Sequence, residues 1–84
     1  MNRKKRIETI IEKDFRKCII TVLDNSHEHI GHHNFDGKQE THFRIMLKKN
    51  SDNKQSRIEI HRIINHLLKD EFSNGLHALE INIT

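Results

Sequence analysis

His42-Phe43-Arg44-Ile45-Met46-Leu47-Lys48 is the stretch on which the fold turns. Phe43, Ile45 and Leu47 recur with period two, and His42, Arg44 and Lys48 fall between them, as in a strand with one face toward a core. Upstream, Cys18-Ile19-Ile20-Thr21-Val22-Leu23 is β-branched and apolar on both faces and reads as another strand. Asp24-Asn25-Ser26 ends it. The two strands are expected to pair antiparallel across a long loop-like connection around residues 27–40, where Asp36-Gly37 is a turn signal. Long loops inside compact domains are often functional.

Downstream, Asn50 to Lys54 is polar and reads as a surface turn. Ser56 opens a helix, since Ser56 and Glu59 stand at capping-box spacing. Its apolar side carries Ile60, Ile64, Leu67, Leu68 and Phe72, with His61 on the edge. Asn74-Gly75 fits the helix C-terminus, where glycine readily takes the left-handed cap conformation. Leu76 to Ile83 alternates with Leu79, Ile81 and Ile83 on one side and reads as a third strand. A strand–helix–strand connection of this length favours parallel pairing with a right-handed crossover. At the other end, Asn2 to Arg16 carries Ile7, Ile10, Ile11 and Phe15 at helical spacing, a narrow stripe suited to a surface helix. Arg3-Lys4-Lys5-Arg6 sits at the start of that helix, where the helix dipole disfavours cations. Such a misfit fits either an anion-facing patch or a solvated, fraying end, and the second is the expectation. The whole is an α+β domain: helix, two strands, helix, strand, with helices covering one face of a three-stranded mixed sheet.

At 84 residues the chain is one domain, residues 1–84, with a small core. Its 33% hydrophobic content is low, but the apolar residues are grouped with clear periods. A net charge of +3 allows an anionic partner without demanding nucleic acid. Cys18 is the single cysteine, which excludes an intramolecular disulfide and a cysteine-based zinc finger. The basic amino terminus lacks the apolar run of a signal peptide, and no segment is long enough to span a membrane. A soluble, cytoplasmic protein is expected.

Eight histidines is a high count for this length, and half of them fall in Ser26-His27-Glu28-His29-Ile30-Gly31-His32-His33. Another, His77, stands far away in Asn74-Gly75-Leu76-His77-Ala78-Leu79. Imidazole is the commonest protein metal ligand and titrates near neutral pH. The loop histidines match no recognised structural zinc pattern, although a histidine-rich tract can bind metal by itself. His77 is in phase with Leu79 and Ile81, so a partly buried core histidine competes with a ligand role. His61 reads as a packed imidazole with hydrogen-bonded nitrogens. His42 reads as an open-face residue beside Arg44, suited to receiving an acidic partner. Arg57, Arg62 and Lys69 form a basic helix flank, which is ordinarily a solvated face. Cys18 reads as a small core residue rather than a nucleophile. There is no nucleophile–base–acid set, no phosphate-cradling loop and no dinucleotide fingerprint, so an enzyme is not expected.

Four segments in order resemble the BolA family: Val22-Leu23-Asp24-Asn25-Ser26 with the histidine loop, Glu40-Thr41-His42-Phe43, Ser56-Arg57-Ile58-Glu59-Ile60-His61-Arg62, and Leu76-His77-Ala78-Leu79. Together they cover nearly the whole chain. Three departures stand out: Ile60 where the family helix motif usually has arginine, Asp52-Asn53-Lys54 in place of a phenylalanine-glycine turn, and a stop at Thr84 without the tail many relatives carry. The resemblance implies a class II KH-like fold and a monomer when alone. It also implies partnership with a monothiol glutaredoxin in a heterodimer that shares a bridging [2Fe–2S] cluster. In that picture His77 and one loop histidine, His29 or His32, are the ligands, and no cluster is held stably without the partner. The alternative is a DNA-binding transcriptional regulator, a role attributed to members of the family. A KH domain that clamps single strands needs a Gly-x-x-Gly loop, and none is present. A third reading is a free-standing metal binder using the loop alone.

Overall fold

A computed structural model of the chain describes residues 2–26 and 41–84. In order the elements are α1 (Arg3–Asp14), β1 (Ile19–Asp24), β2 (His42–Lys48), α2 (Arg57–Leu67), α3 (Lys69–Ser73) and β3 (Ala78–Ile83). The sheet runs β1-β2-β3, with β1 antiparallel and β3 parallel to the central β2. This is the α+β arrangement expected, with the alternation of β2 in its middle.

Register explains the core. Val22 lies opposite Ile45, and Ile45 opposite Ile81; Ile20 lies opposite Leu47, and Leu47 opposite Ile83. These residues and Phe43 form one face of the sheet. Against it pack Ile7, Ile11 and Phe15 from α1 and its C-cap, and Ile60, Ile64 and Leu68 from the second helical segment. On the other face Ile19, Leu23 and Met46 are exposed. The apolar content of β1 on both sides therefore serves a core on one face only.

Local chemistry sets the helix ends. The Asn2 side chain accepts from the Lys5 backbone N–H at the start of α1. The Ser56 hydroxyl accepts from the Glu59 N–H at 3.1 Å and the Glu59 carboxylate accepts from the Ser56 N–H, completing the capping box. At the far end the Leu76 N–H donates to the Glu71 carbonyl at 2.9 Å, and Gly75 between them has φ +115°, a Schellman-type stop.

Two expectations about the bounds of the elements change. The single long helix is two, because the chain departs from helical geometry at Leu68 (ψ 12°) before α3 resumes. As a result Phe72, expected in the core, lies at the exposed rim, and Ile63 joins the partly buried set instead. The third strand starts at Ala78, not Leu76, so His77 stands just before it.

The two arginines of the basic amino terminus are neither frayed nor turned to an external anion, whereas Lys4 and Lys5 between them are exposed. Arg3 is buried and its Nε donates to Glu71 at 2.8 Å, while its Nη2 donates to the Asn74 carbonyl at 2.7 Å. Arg6 donates to both oxygens of the same carboxylate, at 2.8 and 3.0 Å. The dipole misfit at the start of α1 is thus offset by a carboxylate and a C-cap carbonyl from α3. The Arg6 hydrogen bonds, aided by Arg3, hold the Glu71 carboxyl below its usual range, against the opposing effect of burial.

Candidate metal centre

The site is built where the sheet receives the histidine-bearing connection. Ser26, buried, closes its base: the hydroxyl accepts from the backbone N–H groups of Thr41 at 2.8 Å and His42 at 3.0 Å. The Asp24 carboxylate accepts from the Ser26 N–H at 2.9 Å, and the Asn25 N–H donates to the His42 carbonyl at 2.8 Å. A buried hydroxyl satisfying two main-chain donors explains why a small polar residue stands here.

Thr41 then joins this base to the third strand. Its carbonyl accepts from the N–H groups of both His77, at 2.8 Å, and Ala78, at 3.1 Å. Its hydroxyl lies 2.9 Å from Nδ1 of His42, a contact that orients that ring. Parallel pairing places His42 opposite Ala78, so the preceding His77 becomes its lateral neighbour. The two rings stack with centroids 6.0 Å apart and planes inclined by 24°.

His77 is exposed, and the core-histidine reading does not hold. The strand begins one residue later, so the inward phase of Leu79 and Ile81 does not extend to it. A cavity of about 360 Å³ opens beside His42, lined with it by Asn25, Arg44, Ala78 and Glu80 and, from the core side, by Phe43 and Leu79. Arg44 and Glu80 form an ion pair across its rim at 2.8 Å. His29 and His32, the expected loop ligands, lie outside the described residues. The chain leaves the described residues at Ser26 and re-enters at Thr41, which holds the His77 main chain.

Among the described residues no group of three or more histidine, cysteine or carboxylate side chains could hold a metal ion. The chemistry available at the sheet end is two imidazoles, donors suited to iron, zinc or copper. The pairing of His42 with His77 was missed by sequence reasoning. It follows from the observed register, in which Ala78, the first residue of β3, lies opposite His42, the first residue of β2.

The remaining histidine and cysteine readings are simpler. His61 is half-buried, but no hydrogen bond reaches its ring among the described residues; its carbonyl accepts from Asn65 instead. Cys18 packs against the core and receives a weak contact from Asn53 at 3.7 Å. Arg57, Arg62 and Lys69 are exposed along α2 and α3. No described helix is long and apolar enough to cross a membrane.

The sequence matches the family described as BolA-like protein over residues 11–84. It is 37% identical over 84 residues to the UV-induced protein uvi31 of Schizosaccharomyces pombe, covering 96% of this chain and 82% of that one. It is 28% identical to the DNA-binding transcriptional regulator BolA of Escherichia coli, covering 94% and 71%. The fold superimposes on the BolA domain of SufE1 from Arabidopsis thaliana with a TM-score of 0.80 at 34% identity, covering 100% of this chain and 92% of that one.

Proposed function

Because the chain belongs to the BolA-like family, we propose that it is an iron–sulfur trafficking adaptor that pairs with a monothiol glutaredoxin and shares a bridging [2Fe–2S] cluster with it. The observation that carries this reading is the exposed His77 ring, stacked on His42 at the sheet end where Ser26 and Thr41 anchor the histidine-bearing connection. The donor set fits: His77 with His29 or His32 would supply neutral imidazoles, and the partner the remaining ligands. Imidazole in place of thiolate raises a cluster's reduction potential and makes ligation sensitive to pH. Two protein ligands suit a site completed by a second molecule better than a self-contained one. In this reading the chain is non-catalytic, monomeric alone and cytoplasmic.

The experiment mixes the purified protein with cluster-loaded monothiol glutaredoxin and follows visible absorption and circular dichroism, then repeats it with His77→Ala. The expected result is a new dichroism pattern that His77→Ala abolishes. Absence of complex and of spectral change would sink the reading; a change that survives His77→Ala would remove His77 as a ligand.

A second reading, DNA binding, draws on the exposed Arg57, Arg62 and Lys69 and on the name of the Escherichia coli relative. It requires duplex binding that weakens steeply with salt and further on Arg62→Ala.

A further inference from the structure

The face of the sheet turned away from the helices is not uniformly polar. Ile19, Leu23 and Met46 are 66%, 37% and 42% exposed on it. Single exposed apolar residues are ordinary, but these three are grouped around Thr21, which lies directly opposite Met46. Ile19 lies opposite Lys48 and Leu23 opposite Arg44, so Met46 is the diagonal neighbour of both, within reach of long side chains.

The same face leads into the histidine site. His42 and Arg44 from β2, and Ala78 and Glu80 from β3, are the open-face positions that wall the cavity beside His42, whose ring stacks on His77. Met46 is four residues along β2 from His42, roughly 13 Å at strand rise. A macromolecule contributing ligands beside His77 therefore meets the apolar patch as soon as it extends along the strands.

Area and charge select the occupant. Three strands of about six residues present roughly 300 Å² in projection, against about 800 Å² per partner in a stable complex. The face alone is too small for a lasting dimer and needs added contacts at the cavity. Its carboxylate, Glu80, is committed to Arg44, and Lys48 leaves a positive excess. A second copy packed by two-fold symmetry would set that excess against itself.

We propose that this open face, with Met46 and Leu23 as its apolar contacts and Lys48 at its edge, docks the partner that shares the His77 site. That partner presents an apolar patch rimmed with carboxylates. The proposal deepens the adaptor reading and rests on it.

The test titrates cluster-loaded monothiol glutaredoxin into the wild-type protein, Met46→Glu, Met46→Lys, Leu23→Glu and Arg57→Glu, each checked for an unchanged unfolding midpoint. Calorimetry reads affinity and visible dichroism reads the shared cluster. Met46→Glu and Leu23→Glu are expected to weaken binding at least tenfold, with Met46→Lys weakening it less. Arg57→Glu, on the helix side, is expected to bind as wild type. Because His77 is intact in all of them, excess partner should restore the wild-type dichroism. Wild-type binding and dichroism with Met46→Glu and Leu23→Glu within twofold would overturn the docking face and leave the adaptor reading standing. Equal loss from Met46→Glu and Met46→Lys would overturn the acidic rim, and loss from Arg57→Glu would move the interface to α2. A wild-type dimer in sedimentation that Met46→Glu dissolves would make the face a self-interface instead. If the wild-type protein neither binds nor changes the spectrum, both readings fall together.

Discussion

Two ends of the short segment from Glu71 to Ala78 handle polar groups in opposite ways. At Glu71 and Asn74 each strong donor meets an acceptor from within the chain: two guanidiniums, one carboxylate and a cap carbonyl, largely buried. Three residues after Asn74, His77 has its main chain tied to Thr41 while its ring is exposed against a second imidazole. Charge neutralised inside the molecule positions backbone. A fixed backbone carrying an exposed donor is what a site needs. The difference separates residues that hold the candidate site from His77, the residue proposed to act in it.

Five substitutions at four positions, read by chemical unfolding, would break or sharpen that separation. Glu71→Ala should have the largest effect, about 3 kcal/mol, because Arg3 is left buried without its counter-charge; Arg6 is 40% exposed and can resolvate, so the upper range is not reached. Glu71→Gln sharpens the origin of that loss. The Arg6 and Arg3 hydrogen bonds hold the folded carboxyl below the ordinary carboxylate range, so its contribution is fully present above that range and fades as pH falls through the folded value. The gap between wild type and Glu71→Gln should therefore narrow in acid; a gap constant from neutral pH to pH 3 would assign it to packing instead.

Ser26→Ala should come next, about 2 kcal/mol, for two main-chain donors, one buried and one part-buried, deprived of their acceptor. Arg44→Gln, at a half-exposed ion pair, should cost no more than about 0.5 kcal/mol. His77→Ala should be smallest, within about 0.5 kcal/mol, although it is the variant expected to abolish the shared-cluster signal. A His77→Ala loss as large as that of Ser26→Ala would mean that the ring is structural and would erase the contrast.

The elements were legible because each rests on near neighbours. Period two at Phe43, Ile45 and Leu47, helical spacing at Ile7, Ile11 and Phe15, and the Ser56–Glu59 cap all follow from local geometry. The two arginines of α1 were not legible in role. Their partner stands 65 and 68 positions away, and a run of charges carries no mark of what it will meet. The site was half legible. His77 stood out by position and resemblance, whereas His42 looked like any polar residue on an open strand until the β2–β3 register set it beside His77. The break at Leu68 left no sequence signal either, since no glycine or proline marks it.

The clamp between α1 and α3 has a consequence in time as well as in free energy. It joins residues 68 positions apart, and closing so long a loop in an otherwise open chain costs roughly 4 kcal/mol of entropy. The contact is therefore expected among the last to form, after the sheet and helices have brought the two ends together. An interaction absent from the transition state leaves the folding rate nearly untouched and slows escape from the native state. Arg3, Arg6 and Glu71 are then expected to act as a latch on the lifetime of the fold and, through Asn74 and Gly75, on how long His77 stays in place.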